Sequence, residues 1–388
     1  MRLHAVWVIF AREVVDLLRD RRTVFSMIVL PMLAFPAITA VIAYFVENAA
    51  KKAETEATTL GVRSLEYSAE LGEAIKRSGL KAIVVGDLKK AIEDKKVAAA
   101  AEQQGAVIAV LADQTRQSSG VAATKLREAL GVVRDERVRA ALKTNGVAET
   151  VLDPFAVQRV NIASERKMGG FLAGTMLGYI VILLMFSGGL YPAVDMTAGE
   201  KERKTMESLL ASPAARTEIV LGKILATVSA IFVTALLTLA SLYLSLKFGS
   251  FADGKEITAT LMGNIQFDGP TLWLLMLIVF PVALMAGSLM IAIASYARSS
   301  KEAQSYLTPL LMLVILPSLL GGLPGMELSP TLAWIPIFNS SQLMKAVMQG
   351  EQTLATFVIT VVSNLMYAGI CFAAAVRTFR NESVMFRT

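Results

Sequence analysis

The chain has 388 residues, 54% of them hydrophobic and 18% charged, with a formal net charge of +6. A soluble domain carries about 25% charged residues; here the charges are absent from six long stretches and ordinary elsewhere. The single histidine (His4) and single cysteine (Cys371) leave no material for a His- or Cys-based metal cluster, a His-based catalytic site or an internal disulfide.

Residues 1–22 read as an amphipathic helix. Leu3, Val6, Trp7, Phe10, Val14, Leu17 and Leu18 recur at helical spacing, while Arg2, Arg12, Glu13, Asp16 and Arg19 fall mostly elsewhere. That pattern suits a helix lying in the membrane interface, or one packed on a partner. The first charge-free stretch follows at Thr23–Val46 (residues 23–46). It is too long for the apolar core of a signal peptide and lacks a small-residue cleavage pattern, so it reads as a retained anchor. Pro31 and Pro36 inside it predict a kink.

Residues 47–167 hold 20 basic and 17 acidic residues, an ordinary soluble surface. Alternating apolar residues predict strands at Lys81–Val85, Ala106–Leu111 and Phe155–Ile162, with helical patterns at Ala69–Ser78, Asp87–Glu93 and Val121–Lys143. This is a small α/β domain without cysteine, held by packing alone.

Five more charge-free stretches complete the chain: Met168–Val194, Ile224–Leu246, Gly269–Ala297, Ala303–Met326 and Gln352–Val376. A bilayer core of about 30 Å takes about 20 apolar residues in a helix, so each is long enough to span. Residues 168–194 form the second span, 195–223 an intervening charged segment, 224–376 the remaining four spans with short loops, and 377–388 a tail. Gly170, Gly174 and Gly178, four residues apart, line one helix face and admit a close neighbour. Pro324–Glu351 is too polar and Pro-broken to span, but Phe338–Met348 reads as a short outer helix. Asn364 is the most polar side chain within a span and predicts an interhelical hydrogen bond. The fold class is therefore a polytopic α-helical membrane protein, with six transmembrane helices and an α/β extracytoplasmic domain inserted between the first and second.

With the N-terminus inside, the inner segments hold fifteen basic residues and the two short outer loops only three. That is a strong positive-inside bias. It places both termini in the cytoplasm and the 47–167 domain outside, and it accounts for much of the net charge without a nucleic-acid partner. No charge lies within the six stretches, which argues against an ion-coupled carrier or an intramembrane enzyme. Gly222-Lys223 is followed by Ile224 and preceded by no glycine-rich loop, so it is not a nucleotide-binding Walker motif.

Segment 195–223 begins charged, then carries Met206, Leu209 and Leu210 on one face of a short helix that Pro213 stops. An apolar stripe on such a helix suits either a partner's groove or a solvated connection. The run Gly199-Glu-Lys-Glu-Arg-Lys-Thr-Met-Glu-Ser-Leu-Leu-Ala-Ser-Pro213, then Gly222-Lys223, resembles the first cytoplasmic loop of type-2 ABC transporter permeases. Arg19-Asp-Arg-Arg-Thr-Val-Phe25, with Met27–Pro31 and Pro36, is similar to the sodium-exporter (NatB-like) branch of that family.

The resemblance implies a permease subunit of an ATP-driven exporter in the cell membrane, without an ATPase site of its own. Glu200, Glu202, Arg203, Thr205, Met206, Glu207, Leu209 and Leu210 would contact a separate ABC ATPase subunit, which would carry ATP and Mg²⁺. The loop Arg298–Gln304 would add to that contact. A second permease copy, identical or similar, would complete the assembly, and Na⁺ is the substrate the branch suggests. A membrane-anchored sensor or assembly factor, binding ligand through its extracytoplasmic domain, is the competing reading.

Overall fold

The computed structural model describes residues 2–105, 107–145, 165–248, 268–321, 326 and 328–381. Two compact units are present: Met1–Val41 with Ile162–Thr388, and Ile42–Asn161.

The chain starts with α1 (Leu3–Arg19), which buries Val6, Ile9, Glu13 and Leu17 and exposes Leu3, Trp7, Val15 and Leu18. Asp20 ends it and starts α2 (Arg21–Val24), its carboxylate accepting from the Arg22 and Thr23 amides at 3.2 and 3.1 Å. A π-helical turn, Phe25–Val29, leads into α3 (Leu30–Glu56). That widened turn directly precedes Pro31, whose ring crowds the turn before it. Helix α3 runs past the apolar stretch to Glu56, because residues 47–56 are good helix formers supported by Glu47–Lys51 and Lys52–Glu56 pairs.

Within Ile42–Asn161, the elements after α3 are β1 (Thr59–Val62), α4 (Ala69–Ser78), β2 (Lys81–Val84), α5 (Leu88–Glu93), β3 (Ala99–Gln104), β4 (Val107–Leu111) and α6 (Gln117–Thr144). The sheet order is β2-β1-β3-β4. β1 runs parallel to both β2 and β3, and β3 pairs antiparallel with β4. Ala99 and Ala101 face a core with Leu60, Leu71, Ile75 and Leu126, whereas Ala100 faces a smaller one with Leu88, Ile92 and Val97. This alternation is the period of a strand buried on both faces. The sequence pattern missed β1 and β3; β3 reads Ala-Ala-Ala-Glu-Gln-Gln, which has little intrinsic strand preference. The strand expected at Phe155–Ile162 lies outside the described residues.

The other unit continues with α7 (Glu165–Val194), a π-helical turn at Asp195–Gly199, α8 (Glu200–Glu202), α9 (Thr205–Leu210) and α10 (Arg216–Phe248). Then come α11 (Gly269–Ala294), α12 (Ser300–Leu320), α13 (Phe338–Gln349) and α14 (Leu354–Arg380). Among the described residues, six helical stretches are long and apolar enough to cross a membrane: Arg21–Val41, Gly174–Glu202, Arg216–Ser245, Gly269–Ala294, Ser300–Leu320 and Leu354–Arg380. The second, third and fourth are 67–72% buried within the chain and the other three only 22%, so the latter present their apolar sides to lipid or to another protein. The core between them contains Leu177, Val181, Met185, Phe186, Ile231 and Val282.

Several helices overrun their charge-free stretches, and two of these overruns matter for the site. α7 continues through α8, and α10 begins at Arg216, so Glu200, Glu218 and Lys223 all lie on long helices. The charge-free stretches themselves stay free of charge, and these residues lie on the helical extensions beyond them. Charge-free length locates the apolar slab, whereas a helix ends only where its backbone bonding is interrupted.

Helix α13 is buried despite its polarity: Asn339, Ser340, Ser341, Gln342 and Lys345 are all below 8% exposed. Asn364 of α14 donates to Ser340 Oγ at 2.8 Å, and Asn339 Nδ2 donates to Ser363 Oγ at 2.9 Å. These bonds satisfy groups that would otherwise be costly to bury, and the interhelical role read for Asn364 is the one it has.

Candidate functional site: an ionic hub at the α1 end of the bundle

Three consecutive residues, Glu200, Lys201 and Glu202, each bind a different helix. The turn Asp195–Gly199 places them at the end of the bundle where α1 packs on α10. Lys201 Nζ donates to the Ser295 carbonyl and to the Ala297 carbonyl, the latter at 3.3 Å, just past the C-terminus of α11. A cation there satisfies orphan carbonyls and complements the helix dipole. Glu202 accepts from the amide and hydroxyl of Ser300, at 2.9 and 2.8 Å, in the first turn of α12. An anion there complements the opposite pole.

Glu200 turns inward. It is 3% exposed, and its Oε2 lies 2.8 Å from the Nζ of Lys223 on α10, which is itself completely buried. Lys223 also donates to Glu13 Oε1 of α1 at 2.9 Å. Arg12 reaches Glu200 at 3.4 Å and Asp16 at 3.7 Å. One lysine is thus held between carboxylates from two other segments, with a half-exposed arginine at the rim.

After the hub the chain reverses. Lys204 adopts φ +59°, and Arg203 bonds back to Asp195 at 2.7 Å. That hydrogen bond, outweighing partial burial, raises the pKa of the already charged guanidinium. Helix α9 then presents Thr205, Glu207 and Ser208 outward. Met206 is 3% exposed and belongs to the main hydrophobic core, and Leu209 packs against the same cluster. The stripe read as facing a partner's groove is therefore corrected at Met206 and Leu209, which this chain's own core occupies. Glu200 is corrected in the same way, because it is buried against Lys223. The side chain of Leu210 lies outside the described residues. Glu202, Arg203, Thr205 and Glu207 remain at the surface.

Gly170, Gly174 and Gly178 are far along α7 from this hub and face α13. A Cβ there would lie 2.6 Å from Met348 O, 2.9 Å from Lys345 Cα and 2.7 Å from Ser341 O respectively. The loop Arg298–Gln304 forms the start of α12, with Ser299 capping and the Arg298 amide bonded to Glu302 at 2.7 Å. Among the described residues no group of three or more His, Cys, Asp or Glu side chains is placed to hold a metal ion.

Sequence reasoning missed Glu13 and Lys223. A signal was present for Glu13: it falls between Ile9 and Leu17 on the buried stripe of α1, four residues from each. An acid at that position requires a cation from elsewhere.

The family model for the ABC-2 family transporter protein matches residues 7–384. The chain is also similar to the ABC transporter permease protein NatB of Bacillus subtilis (strain 168), 25% identical over 375 residues, covering 91% of this chain and 92% of that one. No solved structure matches it.

Proposed function

The chain belongs to the ABC-2 family of transporter proteins, whose model spans nearly its whole length, and from that premise we propose that it is the permease of an ATP-driven exporter coupled at the α1 end to a separate ATPase. The positive-inside bias of the sequence supports a cytoplasmic position for that end and an extracytoplasmic one for residues 47–167. The ATPase carries ATP and Mg²⁺, and two permease copies pair. The exposed apolar sides of the first, fifth and sixth spans provide surface for that pairing. Sodium is the proposed substrate, on the resemblance of residues 12–36.

One observation carries the coupling reading: Glu200, Lys201 and Glu202 bind α10 with α1, α11 and α12 within a single turn of chain. A displacement of residues 202–210 by a bound ATPase therefore acts on several helices at once. Glu202, Arg203, Thr205, Glu207 and Leu210 supply the contact, while Glu200, Met206 and Leu209 pass it inward. The ATPase conformations bind the two states of the permease unequally, and this shifts their populations.

The test uses proteoliposomes containing permease and ATPase. Glu207→Ala and Leu210→Ala should leave ATP hydrolysis in place and reduce ATP-dependent ²²Na⁺ flux about tenfold, a coupling loss of about 1.4 kcal/mol. Normal flux in both variants refutes the contact. Failure of an ATPase to co-purify with the native chain refutes the exporter reading itself.

A further inference from the structure

The ionic cluster is the least economical way to hold these helices together. Moving charges out of water costs more than most ion pairs return, and apolar replacements of similar volume are often as stable. Here one lysine at 0% exposure joins three segments that are far apart in sequence.

Its neighbour completes the joint. A Cβ at Gly222 would lie 2.7 Å from Ile9 Cγ2 and 3.3 Å from the Phe10 amide, so only glycine lets α1 lie this close to α10. The start of α1 is fastened to the same stretch: the Arg2 amide donates to Glu218, and its guanidinium to the Pro213 carbonyl. Farther along, Leu17 and Phe10 pack with Met196 and Ala226. Gly222-Lys223, which fails as a nucleotide motif, is thus one contact surface and one ionic pin for α1.

We propose that Lys223 is a positioning residue that pins α1 to the segment 200–210 and α10, so that α1 moves with that segment when the ATPase acts on it. The inference rests on the reading that an ATPase docks at residues 202–210. Lys223, Glu13 and Glu200 form the pin, and Arg12, balanced by Asp16, guards its open side. The exposed apolar face of α1, with Leu3, Trp7 and Leu18, then carries the movement to the membrane interface.

The experiment is hydrogen–deuterium exchange on the full permease–ATPase complex, without nucleotide and with ATP plus vanadate. It follows peptides covering residues 5–18 and 203–212. In the native complex both regions change together. The neutral variant Glu13→Gln/Glu200→Gln/Lys223→Met leaves no charge unpaired in the cluster and should melt no lower than native. In it, 203–212 still responds, whereas α1 exchanges about tenfold faster at rest and ignores nucleotide. The charge-swapped variant Glu13→Lys/Lys223→Glu/Glu200→Gln keeps an ion pair between α1 and α10 without setting two buried carboxylates side by side, and it restores the α1 response.

A neutral variant whose α1 still follows nucleotide overturns the proposal, as does a folded charge-swapped variant whose α1 does not. A native complex in which neither region responds overturns it too. If the ATPase nonetheless slows exchange at 203–212 relative to the permease alone, only the pin fails; if it does not, the docking reading fails with it.

Discussion

The packing of α7 on α13 makes a quantitative prediction. An alanine at Gly178 would place its Cβ 2.7 Å from the Ser341 carbonyl oxygen, and ordinary contact begins at 3.4 Å. The two helices must therefore separate by about 0.7 Å, or the backbone must distort, and overpacking of this kind costs about 1–3 kcal/mol. A shift of about 2–4 °C in melting temperature per kcal/mol is typical of chains somewhat smaller than this one. Thermal unfolding of the detergent-solubilised chain should therefore show Gly178→Ala lower by a few degrees. Gly174→Ala should behave alike, its Cβ lying 2.9 Å from Lys345 Cα. The double variant should lose less than the sum, because the first alanine already parts the helices for the second. Gly369→Ala is the control: nothing lies within 4 Å of its Cβ, and the gain in helix propensity is up to about 1 kcal/mol. If Gly178→Ala melts at or above the native temperature, or if Gly369→Ala is the more damaging change, the close-approach argument is wrong.

Asn364→Leu removes the donor to Ser340 Oγ and should cost about 1–3 kcal/mol; a double-mutant cycle with Ser340→Ala should show coupling of the same sign, and strict additivity would refute the bond. Arg77 holds Glu136 through two contacts of 2.8 and 2.7 Å, which together depress the Glu136 pKa below its ordinary 4.5. A carboxylate depressed on folding adds stability above its unfolded pKa, and that stability is lost as pH falls through the folded pKa. Pepsin cleavage within α4–α6 of the full chain should therefore accelerate as pH drops from about 5 to about 3, and this acceleration should be smaller in Glu136→Gln. Equal profiles would remove Glu136 from the acid response.

The six spans were legible because membrane insertion is decided by local composition: about 20 apolar residues without charge carry the information in themselves. The glycine triplet was legible for a related reason, since a spacing of four fixes a helix face whatever it meets. What the triplet meets was not legible, because α13 reads as a polar outer segment and is buried only once Asn339, Ser340 and Asn364 find one another. The segment after the second span divides in the same way. Its charged start and apolar stripe are local features, and they marked residues 195–210 as a place of contact. Which side of the stripe faces inward depended on α7 running unbroken into α8, and this turned Met206 and Leu209 toward the core.

The ionic hub belongs wholly to the tertiary structure. Glu13 and Lys223 are 210 positions apart, and no periodicity relates them; only the placement of α1 over Gly222 brings them within bonding distance. Taken alone, the sequence determined a six-span membrane protein with a charged segment after its second span, because hydropathy and charge act residue by residue. Burial of Lys223 between two carboxylates was decided by packing, because a buried charge is tolerable only where the fold delivers its partners.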